Sequence, residues 1–126
     1  MKARILIVED NVDFLRILRD VLSTEYEVAT VRRGEDAIAL AAKLRPALVI
    51  LDLGLPSMDG IETGRWLKQE LGAGVPILVL TASAADGDPE AVLASGCCDA
   101  YMAKPAPLAE IRREVSRLLQ SPTQPA

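Results

Sequence analysis

Three runs of this chain are apolar without alternation, and each stops at a polar residue. Ala47-Leu48-Val49-Ile50-Leu51 leads into Asp52 and then Leu53-Gly54-Leu55-Pro56. A run of that kind reads as a strand buried on both faces, the pattern of a parallel sheet covered by helices. The Gly and Pro stop the strand, so the Asp52 carboxylate is expected at its C-terminal mouth, the edge where open α/β sheets bind ligands. Arg4-Ile5-Leu6-Ile7-Val8 runs into Glu9-Asp10, and Pro76-Ile77-Leu78-Val79-Leu80 runs into Thr81. If these strands are parallel neighbours, three carboxylates and a hydroxyl converge on one cleft.

Helical periodicity fills the intervals. Phe14, Leu15, Leu18, Val21 and Leu22 form an apolar stripe behind Asn11, which reads as an N-cap. Glu27–Val31 reads as a second strand, and Ala37, Ile38, Ala41 and Leu44 as a second helix closed by Arg45-Pro46. A third helix begins near Gly60 with Ile61, Gly64, Leu67 and Leu71 inward, and ends at Gly72-Ala73-Gly74. Asp59 reads as part of an Asp-Gly turn, and Trp66 sits beside the stripe, either flanking the core or exposed. Asp88-Pro89-Glu90 opens a short fourth helix that Gly96 stops. A brief fifth strand, Asp99–Ala103, precedes a last helix from Pro107 carrying Leu108, Ile111, Val115, Leu118 and Leu119. Strand and helix alternate throughout, which predicts an α/β fold: a doubly wound, five-stranded parallel sheet with five helices. In the flavodoxin-like order 2-1-3-4-5 the switch point falls between the strands that end in Glu9-Asp10 and in Asp52. Residues 1–120 read as one domain and 121–126 as a flexible tail with nothing to bury.

Composition narrows the chemistry. A net charge of -4 argues against a chain that holds nucleic acid or an anionic membrane by itself. No stretch has the length of a signal peptide or a membrane span, and the adjacent Cys97 and Cys98 read as small hydrophobes in a reducing cytoplasm. The chain has no histidine, which rules out Ser-His-Asp and Cys-His catalysis and any His-ligated metal. Clustered carboxylates need a counter-charge, because two of them about 4 Å apart repel by several kcal/mol at a protein surface. Mg²⁺ suits the role, taking a few carboxylate or carbonyl oxygens and keeping several waters. Lys104, just after the fifth strand, adds a second positive group. A carboxylate beside a cation, a lysine and a hydroxyl suits nucleophilic attack on a phosphoryl group.

Those residues, in that order and at strand ends, resemble the receiver domain of response regulators in two-component signalling. The acidic pair is Glu9-Asp10; the acceptor motif is Asp52-Leu53-Gly54-Leu55-Pro56-Ser57-Met58-Asp59-Gly60; then come Thr81-Ala82, Tyr101 and Lys104-Pro105. The resemblance covers the chain up to about Leu119. It implies that Asp52 accepts a phosphoryl group from a phosphohistidine on a sensor histidine kinase or a histidine phosphotransfer protein. It implies that Asp10, Asp52 and the Gly54 carbonyl bind Mg²⁺, with Glu9 holding a metal-bound water. Lys104 would grip the phosphoryl group, the Lys104-Pro105 bond would be cis, and Thr81 and Tyr101 would form the switch, strand packing being the alternative for Tyr101. The positions flanking the phosphoryl group would be Gly54 and Ser83. Such a domain is a switch and not an enzyme, catalysing only its own phosphorylation and dephosphorylation. Its output runs through the surface of the fourth helix, fifth strand and fifth helix to a protein target, as a monomer or a phosphorylation-dependent dimer.

Two other readings compete. A small Mg²⁺-dependent phosphatase working through an aspartyl-phosphate needs an acid two residues after its nucleophile, where this chain has Gly54. A flavodoxin-like cofactor binder needs a phosphate cradle after the first strand, where Glu9-Asp10-Asn11 is acidic. Met1-Lys2 reads as a natural start, and with no effector domain in the sequence the output is expected through protein contact.

Overall fold

A computed structural model describes residues 2–56, 58–82 and 88–120; Ser83 and the expected tail, residues 121–126, lie outside them. Five strands, β1 (Arg4–Val8), β2 (Glu27–Val31), β3 (Leu48–Leu51), β4 (Ile77–Thr81) and β5 (Ala100–Ala103), alternate with five helices. The helices are α1 (Val12–Leu22), α2 (Gly34–Leu44), α3 (Gly60–Leu71), α4 (Pro89–Ala94) and α5 (Leu108–Gln120). Every strand pairing is parallel and the sheet order is β2-β1-β3-β4-β5, the doubly wound arrangement expected from the alternation.

Burial on both faces explains the lack of alternation in the runs. Within β1, Leu6 and Val8 enter the core under α2, α3 and α4, while Ile5 and Ile7 enter the core under α1 and α5. β3 and β4 divide in the same way, with Val49, Leu51, Ile77 and Val79 on one side and Leu48, Ile50, Leu78 and Leu80 on the other. β2, at the sheet edge, is half-exposed instead, as its mixed sequence permits.

Local chemistry sets the helix ends. The Phe14 N–H donates to Asn11 Oδ1 at 2.9 Å, and the Ala91 N–H donates to Asp88 Oδ1 at 2.8 Å ahead of a Pro at the start of α4. Both caps were expected. Asp59 does more than an Asp-Gly turn requires: its side chain accepts from the Ile61 and Glu62 N–H groups and caps α3. Gly72 and Gly96 follow α3 and α4 at φ 85° and 82°, where a side chain would be strained.

On the inward face of α3, Gly64 and Leu67 are buried as expected, and Ile61 and Leu71 pack against the same core from its margin. Gly60, Thr63, Gly64 and Leu67 are buried, whereas Ile61 and Leu71 are half-buried. The helix lies so close to the chain entering β5 that a Cβ on Gly64 would stand 2.5 Å from the Cys97 carbonyl oxygen. Gly64 therefore makes this contact, with Leu67 fully buried one turn on and Ile61 and Leu71 at the margins. Trp66 is exposed. Cys97 and Cys98 are buried free thiols within the α3–α4 side of the core, as small hydrophobes would be. No helix among the described residues is long and apolar enough to cross a membrane.

Candidate functional site

Backbone pairing brings the strand ends together. Val8 pairs with Leu51 and Leu51 with Val79, and the Asp52 N–H donates to the Val8 carbonyl at 3.0 Å. Thr81 closes β4, and the Lys104 N–H donates to its carbonyl at 2.9 Å. The Lys104–Pro105 peptide bond is cis. Glu9, Asp52, Thr81 and Lys104 thus leave four neighbouring strands at the same edge.

Their side chains are in direct contact. Asp52 Oδ1 accepts from the Thr81 hydroxyl at 2.8 Å and from the Gly54 N–H at 3.0 Å. Asp52 Oδ2 receives the Lys104 ammonium at 3.3 Å. The same ammonium donates to Glu9 Oε1 at 2.6 Å, and Glu9 Oε2 accepts from the Asn11 N–H at 3.0 Å. Glu9 and Thr81 are buried. Among the described residues, no buried side-chain polar atom at the site or elsewhere lacks a partner.

This environment separates the two carboxylates. Burial pushes the Glu9 carboxyl above its ordinary value, and its bonds to Lys104 and the Asn11 N–H offset that only in part. Burial pushes Asp52 up as well, but the Gly54 N–H, the Thr81 hydroxyl and the Lys104 charge outweigh it and hold Asp52 below its ordinary value. Of the two, Asp52 is the carboxylate whose charged form its surroundings favour.

Asp10 stands apart from the expected cluster of three carboxylates. It lies 3.7 Å from an Arg32 guanidinium nitrogen, with both side chains about half exposed. Among the described residues, no three carboxylates stand close enough together to share a cation in this arrangement. The counter-charge between Glu9 and Asp52 is Lys104 itself. Tyr101 pairs with Val79 and lies half-buried against the α3–α4 side of the core. Gly54 is exposed and offers no acid, as a leaving-group proton donor would require.

Two contacts were not legible in the sequence. Arg32 follows β2 without any motif, and Phe14 read only as part of the α1 stripe. In the structure the Lys104 ammonium sits 4.5 Å from the centroid of the Phe14 ring. Both contacts depend on how the chain closes in space.

The response regulator receiver domain family matches residues 5–116. This chain belongs to that family. The polar-differentiation response regulator DivK of Brucella anthropi is 38% identical over 108 residues, which are 83% of this chain and 86% of that one. The receiver domain of a sensor histidine kinase from Pseudomonas aeruginosa, solved with a magnesium ion coordinated in its active site cleft, superposes with a TM-score of 0.84 at 35% identity. That match covers 96% of this chain and 100% of the other. A CheY-like receiver from Methanospirillum hungatei superposes with a TM-score of 0.86 at 24% identity and shares the fold, over 94% of each chain. The protein is thus a receiver domain of two-component signalling, a switch with a flavodoxin-like fold. Glu9, Asp10 and Asp52 are carboxylates of the kind that suits a hard cation such as Mg²⁺, although in this arrangement the three do not stand together.

Proposed function

We propose that Asp52 is the phosphoacceptor of this receiver. The observation that carries the reading is the double hold on its carboxylate: Thr81 donates to one oxygen and Lys104 to the other. These are the donors a phosphoryl group on Asp52 would need. In the transfer, an Asp52 carboxylate oxygen attacks the phosphorus of a phosphohistidine on a sensor histidine kinase or a histidine phosphotransfer protein. The P–N bond breaks, its electron pair stays with the imidazole, and that nitrogen takes a proton from solvent. Asp52 is ready for attack because it is ionised and oriented before the donor arrives.

Mg²⁺, held by Asp10, Asp52 and the Gly54 carbonyl with Glu9 on a bound water, would neutralise charge on the transferred oxygens. Asp10 has to leave Arg32 to join that set. Lys104 then turns from bridging Glu9 and Asp52 to holding a phosphoryl oxygen, and Thr81 follows another. Phosphorylation adds about two negative charges at the end of β3. As Thr81 moves, Tyr101 on the neighbouring strand has room to turn inward, and the α4-β5-α5 surface changes for a protein target. The six-residue α4 buries Val92 alone, which suits an element that moves.

On this reading residues 1–120 form the receiver, as a monomer or a phosphorylation-dependent dimer, in the cytoplasm and without direct contact to nucleic acid. It catalyses its own phosphorylation and dephosphorylation and no other turnover. Incubation with acetyl phosphate and Mg²⁺ tests the acceptor. Intact mass should show one phosphoryl group on the wild type and none on Asp52→Asn; equal labelling of both overturns the assignment.

A further inference from the structure

The first turn of α1 closes a ring of contacts around Lys104. Glu9 Oε2 accepts the Asn11 N–H, Asn11 Oδ1 accepts the Phe14 N–H, the Phe14 ring faces the Lys104 ammonium, and that ammonium donates to Glu9 Oε1. Phe14 is thus fixed at its backbone by the helix cap, while its ring packs against the core under α1 and α5. An ammonium on a fixed aromatic face is drawn to the ring's negative quadrupole, most strongly where water is limited. The Lys104 side chain is only 17% exposed. Two carboxylates and a ring face therefore define its position from three directions.

We propose that Phe14 is a positioning residue for Lys104, and that its ring face keeps the ammonium aimed at the group carried by Asp52. The inference rests on Asp52 as acceptor and adds a determinant of rate that lies outside the acceptor motif. A lysine on a four-carbon stem has many rotamers, and a donor that must be found during the reaction contributes less than one already in place. The Phe14 ring removes part of that freedom before the phosphodonor binds. Glu9 alone does not suffice, because it pulls the ammonium away from Asp52: 2.6 Å against 3.3 Å. The ring face opposes neither carboxylate and leaves the N–H groups free to turn from one oxygen to the next.

Phe14 is the only phenylalanine in the chain, which permits a clean experiment. Ring fluorination withdraws the negative face step by step while nearly preserving shape. Site-specific mono-, di- and trifluorophenylalanine at position 14 should slow phosphorylation by acetyl phosphate progressively, about two- to tenfold across the series. Thermal stability should change little, and Phe14→Leu should fall at the slow end while Phe14→Tyr and Phe14→Trp retain the rate. With 4-fluorophenylalanine, the single ¹⁹F resonance should shift on Lys104→Met, a readout independent of phosphorylation. A graded rate at constant stability is the expected result. Rates indifferent to fluorination, or faster in Phe14→Leu, would overturn the positioning role. If no variant is labelled at Asp52 but the ¹⁹F shift is seen, the acceptor assignment has failed and the ring contact has not.

Discussion

Lys104 Nζ lies 2.6 Å from Glu9 Oε1, joining residues 95 apart in the chain across the mouth of the sheet. The contact makes an ammonium the internal counter-ion of an acidic site. It also determines what happens when that ammonium is removed.

Replacing Lys104 with Met should cost about 3 kcal/mol at neutral pH in the absence of divalent cations, because two largely buried carboxylates lose their counter-charge. The loss should be pH-dependent. Glu9 is raised above its ordinary 4.5 by burial, and Lys104 is among the groups that lower it, so the mutant carboxyl rises further. A carboxyl raised on folding favours the folded state below its unfolded value, and that gain is lost as pH rises through the folded value. Asp52 is lowered partly by Lys104, so the stability it contributes above its ordinary value also shrinks in the mutant. The Glu9 effect makes the deficit larger near pH 7.5 than near pH 4.5, whereas the Asp52 part, present above its ordinary 3.8, adds about equally at both. Urea melts at the two pH values check this, and an equal deficit at both would contradict the account.

Arg32 should compete for the carboxylate that a cation needs. Its guanidinium sits 3.7 Å from Asp10, and an exposed pair of this kind is worth at most about 1 kcal/mol. Arg32→Ala should therefore tighten Mg²⁺ binding by about two- to fivefold in a low-salt titration followed by amide shifts. The difference should fade at 0.5 M monovalent salt, where exposed charges are screened. Unchanged affinity at low salt would mean that Asp10 is free to turn without hindrance.

Much of this architecture is legible before any folding is considered, and the reasons are local. The runs at Ile5–Val8 and Leu48–Leu51 have no polar residue because each face of the sheet meets its own helical layer, so the parallel sheet and its switch point follow from hydropathy. Glu9, Asp52, Thr81 and Lys104 are legible because strand ends must lie at one edge. Asp10 belongs to the same motif, yet its partner is Arg32, which no spacing rule singles out. Phe14 satisfies a helical stripe and touches Lys104 at once, and periodicity reports only the first. On α3, the pattern places Ile61, Gly64, Leu67 and Leu71 on one inward face, but it does not say that the helix–loop approach is closest at Gly64, which leaves Ile61 and Leu71 at the margin.

That close approach gives a structural prediction. A methyl at position 64 would meet the Cys97 carbonyl oxygen at 2.5 Å and its Cβ at 2.9 Å, so backbone has to shift. Gly64→Ala should destabilise the domain by about 1–3 kcal/mol despite the better helix propensity of alanine. Thermal melts would check the sign, and a stabilised variant would mean that α3 can move outward without cost.

Thr81 donates its hydroxyl to Asp52 at 2.8 Å, the link by which the proposed acceptor would reach the rest of β4. Thr81→Ala should still be phosphorylated by acetyl phosphate but should transmit the change poorly. Amide shifts on phosphorylation should remain near Asp52 and fall sharply at Tyr101 and in α4. Equal shifts in mutant and wild type would show that the signal bypasses the hydroxyl.

With Asp52 as the proposed acceptor, the lifetime of the phosphorylated state would depend on how a water reaches the phosphorus in line with the Asp52 oxygen. Gly54 is exposed, and its N–H already donates to Asp52 Oδ1. Position 54 brings a backbone donor to the acceptor but no side chain that could orient the attacking water. Ser83, two residues after Thr81, has a hydroxyl but neither a carboxylate nor an amide. Intrinsic dephosphorylation should therefore be slow, because the water has to find its line of attack unaided. Gly54→Asn combined with Ser83→Glu should accelerate loss of the phosphoryl group by about tenfold, since an oriented water has part of its ordering cost met in advance. Phosphorylation by acetyl phosphate should change little, as the double variant keeps both Lys104 and Thr81. Decay followed by intact mass after donor removal checks both parts. A wild type that already decays within seconds, or a rate indifferent to both substitutions, would mean that another group positions the water.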